Sequence, residues 1–224
     1  MSKIQDISRE KAGSMSRLTI IRDSNEQHGY EFSQHDVILH TMPLYLARIK
    51  TVEIAGTAYE IGGGDYTILG MEHVCQVERK SLGDLYSSLG KGRGRFEARV
   101  RYLSEECIVA FVLVEADLET VMGGYKYSHL HPQSVFGTYQ AWMIRYPNVQ
   151  WIFAPGWAAG EEMCYGLLKK AQKEYADDTK RGKLKSGSLG RTLPGSGDIA
   201  VHKTGVCPLL PGSTSGPGTQ PESH

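Results

Sequence analysis

Apolar positions along this chain cluster and alternate in ways that separate strands from helices. Cys107-Ile-Val-Ala-Phe-Val-Leu-Val114 is an unbroken apolar run bounded by acids, as expected of a strand buried on both faces of a sheet. Shorter β-rich runs occur at Leu18–Arg22, Ala58–Ile61, Tyr66–Leu69, Val74–Lys80 and Val149–Phe153. The second and third of these flank the triple glycine Gly62-Gly63-Gly64. Helical spacing fills the gaps. Ser81–Leu89 opens on Ser81-Leu-Gly-Asp84, the spacing of a capping box with Asp in place of Glu. Phe96–Glu106 and Ser134–Tyr146 follow, and Ala158–Ala176 repeats Met163, Leu167, Leu168 and Ala171 at helical intervals. Strands alternating with helices predict a single α/β domain with a central mixed or mostly parallel sheet flanked by helices.

The pattern stops at both ends. Residues 1–16 are polar without a sustained period and read as a flexible leader. From Gly182 onward Gly, Pro and Ser supply 20 of 43 residues, a composition that cannot offset its ordering entropy. Residues 179–224 are therefore expected to be a disordered tail, and residues 17–178 the one domain.

Charge then narrows the function classes. Lys+Arg and Asp+Glu both number 25, so a DNA partner has to be met by a local patch rather than by a generally basic surface. No apolar run approaches the roughly 18 residues that span a bilayer, so no membrane partner is expected. The N-terminus carries no apolar stretch suited to secretion, which makes the expected location cytoplasmic. The four cysteines lack a C-x-x-C pair, and buried thiols are their default reading. His129-x-His131 is too sparse to make a metal site alone. Trp142, Trp151, Trp157, Tyr139 and Tyr146 have two readings, as core packing or as an exposed face for base stacking or a homodimer contact.

The candidate chemistry lies in Gly64-Asp65-Tyr66 and Val77-Glu78-Arg79-Lys80. If Gly70–His73 is a hairpin loop, Leu69 pairs with Val74 and Asp65 stands opposite Glu78. Cross-strand partners have Cβ atoms roughly 4.5–5.5 Å apart on one face, so two carboxylates placed there repel each other. Mg²⁺ or Mn²⁺ between them removes the conflict, because these ions prefer hard oxygen ligands. Alternation puts Lys80 on the face of Glu78 and sends Arg79 to the other. Two acids and a lysine are the minimal kit for metal-assisted phosphodiester hydrolysis, and also for a surface hairpin with an ion pair. Asp23 closes a strand, with Glu26 three residues on; each reads as a site acid or as a turn residue. Lys91, Arg93, Arg95, Arg99 and Arg101 put five basic residues within 11 positions, a glycine-flexed loop suited to gripping phosphates. The P-loop spacing is absent there.

Asp23-x-x-Glu26, Gly64-Asp65, Glu78-Arg79-Lys80 and Asp84 together resemble the XPF/Hef-type nuclease domain, whose hallmark is G-D-(x)n-E-R-K-x-x-x-D. The likeness extends through Val112-Leu-Val-Glu115 and more loosely to about Tyr175. It implies a restriction-endonuclease-like fold and a divalent-metal-dependent endonuclease that cuts DNA at branches or single/double-strand junctions, in DNA repair or recombination. It also implies roles. Asp65 and Glu78 would be ligands for Mg²⁺ or Mn²⁺, with the Arg79 backbone carbonyl a third. Lys80 would be the catalytic lysine, Asp23 and Glu26 outer carboxylates near metal or water, and Arg95 a phosphate contact. Asp84 fits the motif as a helix cap. Two departures stand out: Asn25 occupies the place of a family arginine, and no tandem helix-hairpin-helix follows. The comparison is therefore with a compact stand-alone nuclease of bacterial or phage type, with a homodimer left open. The rival reading is a silent DNA-binding or partner-binding module of the same fold. A hydrolase of small phosphates would share the acids and leave the basic segment unexplained.

Overall fold

The computed structural model describes residues 17–180. The first strands are β1 (Leu18–Asp23) and β2 (Val37–Met42), followed by a short helix α1 (Leu44–Ala47). A hairpin of β3 (Lys50–Ile54) and β4 (Thr57–Ile61) comes next, then β5 (Tyr66–Ile68) and β6 (Cys75–Lys80). Helices α2 (Leu82–Leu89) and α3 (Arg93–Glu106) lead into β7 (Val109–Val114). The described chain closes with α4 (Leu118–Gly123), α5 (Pro132–Arg145), β8 (Val149–Phe153) and α6 (Trp157–Lys180).

Six strands form one sheet in the order β2-β1-β5-β6-β7-β8, and β3-β4 form a separate two-stranded sheet. Pairs β1/β2, β6/β7 and β7/β8 are parallel, whereas β1/β5 and β5/β6 are antiparallel. The sheet is thus mixed, as the alternation of elements predicts. Strand β7 shows why it has helices on both sides. Ala110, Val112 and Val114 enter the core built with α2, α3 and α5, while Phe111 and Leu113 enter the core beneath α6. Emptying a side chain such as Leu113 from either core costs about 2–5 kcal/mol.

The 65/78 hairpin has the register expected of it. Tyr66 pairs with Val77 and Thr67 with Gln76, so continuing the ladder sets Asp65 across from Glu78. Ser81 caps α2 by accepting from the Asp84 amide at 3.2 Å. Other elements depart from expectation. Strand β2 runs along β1 at the sheet edge with Ile38 and Met42 exposed, so its apolar residues do not mark a buried face. Helix α3 starts at Arg93 rather than Phe96, because Gly92 serves as its N-cap and accepts from the Phe96 amide. The expected glycine-flexed loop is thereby reduced to the turn before α3. Helix α6 runs to Lys180, two residues beyond the boundary drawn at 178. The leader, nearly all of the tail and Cys207 lie outside the described residues.

Cys75, Cys107 and Cys164 are buried free thiols. Trp142, Trp151 and Tyr146 pack in the core, with Tyr139 against them, while Trp157 is half exposed with its ring edge-on to Tyr30. No helix among the described residues is long and apolar enough to cross a membrane.

Candidate active site

The end of β6 carries three charged residues in succession, and the strand pleat sends them to opposite faces. Glu78 and Lys80 point toward α2 and α3. Lys80 donates to Glu78 Oε1 and pairs with Asp84 Oδ2, both at 2.9 Å, and its ammonium lies 5.1 Å from the centre of the Phe96 ring. Burial opposes the charge on Lys80, but Glu78, Asp65 and Asp84 outweigh it and hold its pKa above the usual lysine value.

Glu78 is 4% exposed, and its second oxygen, Oε2, is buried without a hydrogen-bond donor. The nearest cation on that side is Arg99, whose Nε stands 3.7 Å away. Burial pushes the Glu78 pKa up, but Lys80 and Arg99 pull it below the ordinary carboxylate value. Asp65 behaves oppositely. Burial and then the charge of Glu78 raise its pKa, to about 8, against the pull of Lys80, Arg99 and the Arg79 amide. Its Oδ2 accepts from that amide at 2.6 Å. Along a strand the N–H and C=O of one residue lean to the same side, so the Arg79 carbonyl also faces the Asp65 side, past the start of β5.

These donors suit a hard divalent cation. Glu78 Oε2 is buried without a hydrogen-bond donor, and the carboxyl opposite it is pushed toward its protonated form by burial and then by the charge of Glu78; a cation would relieve both. Among the described residues no group of three or more His, Cys, Asp or Glu side chains is arranged to hold a metal; the donors on this side are Asp65, Glu78 and backbone. A cavity of about 220 Å³ opens over Glu78 and Lys80, walled by Ser87, Ser88, Arg95 and Arg99.

On the other face Arg79 is fully engaged. Its Nε and Nη2 donate to the two oxygens of Glu115 at 2.7 and 2.9 Å, and its Nη1 donates to Glu26 Oε1 at 2.9 Å. Tyr30 donates to Glu115 Oε1 at 2.8 Å, with the guanidinium 5.3 Å from its ring centre.

Residues 19–167 match the ERCC4 domain family. The chain belongs to the ERCC4 domain family. Its structure is similar to that of XPF from Aeropyrum pernix, with a TM-score of 0.50 at 17% identity, over 73% of this chain and 69% of that one. XPF from Aeropyrum pernix in complex with DNA also matches, with a TM-score of 0.48 at 18% identity over 70% and 66% of the two chains. No curated protein matches the chain. The fold is thus that of an XPF-type nuclease domain, as the G-D…E-R-K-x-x-x-D residues imply.

Within this ERCC4 domain the expected site residues divide into two groups. Asp65, Glu78 and Lys80 come together, with Asp84 joined to them through Lys80. Asp23 is buried beside them, but its Oδ1 accepts from the Asn25 amide and its Oδ2 from the Tyr45 amide. Glu26 is spent on Arg79 and the His28 amide, on the opposite face from Glu78. Among the basic residues, Lys91, Arg93 and Arg95 are exposed, and Arg95 touches Tyr45 Oη at 3.5 Å. Arg93 donates to Thr138 at 2.6 Å and lies over Trp142. Arg99 turns inward, where it donates to the carbonyls of Gly62 and Gly63 beside Glu78. His131 caps α5 through Nδ1, which leaves His129 exposed without it.

Sequence reasoning gave Glu115 and Tyr30 no role. The signal for Glu115 was an acid closing a wholly apolar strand; Tyr30 left none.

Proposed function

We propose that this ERCC4 domain is a divalent-metal-dependent DNA endonuclease acting at branched DNA or single/double-strand junctions. The observation that carries the reading is the bare, buried Oε2 of Glu78 across from a carboxyl of raised pKa. Asp65, Glu78 and the Arg79 carbonyl would hold Mg²⁺ or Mn²⁺, which when bound lowers the pKa of a water and polarises a phosphoryl oxygen. Lys80, held as an ammonium, donates hydrogen bonds and does not act as a base. It orients the attacking water or offsets charge growing on the phosphate. Arg79 positions Asp65 through its amide, while Glu115 and Glu26 fix the arginine. Asp23 anchors the loop after β1 and α1 against the site. Arg95 and Lys91 approach phosphates from the start of α3. Such an enzyme would serve DNA repair or recombination.

The test uses the full chain with labelled linear, flap, fork and circular DNAs, in Mn²⁺, in Mg²⁺ and in EDTA. Metal-dependent cutting of branched DNA, lost in Asp65→Asn and in Glu78→Gln, is expected. Tight DNA binding with no cutting in either metal would replace this reading with that of a silent binding module.

A further inference from the structure

Beside the acidic site lies a second, larger cleft of about 640 Å³. It sits between α2 and the loop joining α4 to α5. Tyr86 and Tyr125 form its wall, their ring centres 6.0 Å apart, and Tyr127 meets Tyr125 edge-on at 5.4 Å. Tyr125 can lie against the start of α2 because residue 83 is glycine; a Cβ there would stand 2.9 Å from its hydroxyl. Tyr127 is 73% exposed, and the Lys126 ammonium lies 4.6 Å from its ring centre.

One lysine, Lys91, lines this cleft together with His129, and no acid does. Ser87 lines both this cleft and the cavity over Glu78 and Lys80, so the two adjoin at α2. A volume of that size falls in the usual range for small-molecule sites, roughly 300–1,000 Å³. Aromatic faces beside a lysine, opening off a phosphate-handling site, are what a strand with unstacked bases requires.

We propose that this cleft receives an unpaired nucleobase of single-stranded DNA, stacked on the exposed ring of Tyr127 with its edge toward Tyr125, and with Lys91 on the adjoining phosphate. The proposal rests on the nuclease reading of the neighbouring cavity and deepens it by giving a base of the unpaired strand a place beside α2.

The test measures binding of a fluorescent single-stranded oligonucleotide to the full chain in EDTA, where no cutting intervenes. Stacking on an aromatic side chain contributes enough per base that Tyr127→Ala should weaken binding about tenfold. Tyr127→Phe, which keeps the ring, should restore it. An oligonucleotide with several consecutive abasic positions should bind the unmodified chain about as weakly as the intact strand binds Tyr127→Ala. Affinities of Tyr127→Ala and Tyr125→Ala within twofold of the unmodified chain would overturn the proposal. So would equal binding of the intact and abasic strands, which would assign the affinity to phosphate contacts alone. Failure of the nuclease reading looks different: no cutting in Mn²⁺, with strand binding that still depends on Tyr127.

Discussion

On the α6 side of β6, each hydrogen-bonding nitrogen of the Arg79 guanidinium meets a carboxylate oxygen: Glu115 takes two and Glu26 one. On the α2–α3 side, one residue earlier, Glu78 keeps an oxygen that no donor reaches, while Asp65 opposite it is driven toward its neutral form. The two faces share a strand and a degree of burial. They differ in whether the charges are answered within the fold. Buried polar groups are nearly always satisfied, so the closed network is scaffold and the open oxygen is the one the proposed cation would meet. The amide of Arg79 joins the two faces, because it holds Asp65 in place from the saturated side.

The largest expected effect falls on the open face. Asp65→Asn and Glu78→Gln should lower cutting by about 10²–10³-fold in a gel assay, the scale of losing a charge-stabilising group. Asp65→Asn should at the same time leave the melting temperature equal or higher, since it removes a repulsion. A lower melting temperature would show that Asp65 belongs to the scaffold.

The saturated face should respond in the opposite way. Arg79→Met leaves Glu115 and Glu26 buried without their cation, a loss of about 3–5 kcal/mol. Urea unfolding reads this directly, and a loss under 1 kcal/mol would break the contrast between the faces.

The pH dependence is smaller and its sign is fixed. The Asp65 pKa of about 8 lies above that of an unfolded carboxyl, near ~3.9. Its contribution to the metal-free fold is therefore complete below about pH 4 and falls as pH rises to about 8. Mn²⁺ must displace the same proton, so its affinity should rise with pH up to about 8 and then level off, by titration calorimetry. A flat profile from pH 6 to 8 would contradict the raised pKa. The smallest effect is at the rim: Arg95→Ala should reduce the slope of log DNA affinity against log salt by about 1 without changing the fold.

Much of the site could be read from the order of residues because its logic is local. Asp65 and Glu78 sit on consecutive strands of one hairpin, and the alternation of Glu78, Arg79 and Lys80 needs only the pleat. The partners of Arg79 are 36 and 53 residues away, on elements whose neighbourhood no spacing encodes. Arg99 looks like its basic neighbours in sequence; only the packing of α3 against Gly62 and Gly63 turns it inward. The fold divides in the same way. Strand β7 announces itself by being apolar throughout, whereas β2 is an edge strand whose apolar residues face outward as often as inward.

Gly62 shows how far a small change could reach in this arrangement. The carbonyl of Tyr45 occupies the place a Cβ would take there. Helix α1 is thus seated on a spot that admits only hydrogen, and from that seat the Tyr45 amide holds Asp23 and its hydroxyl meets Arg95. A single methyl group would work as a wedge, lifting α1 and loosening an acid and an arginine at once. In a randomised library, an uncharged position that touches no substrate would then score like a catalytic one.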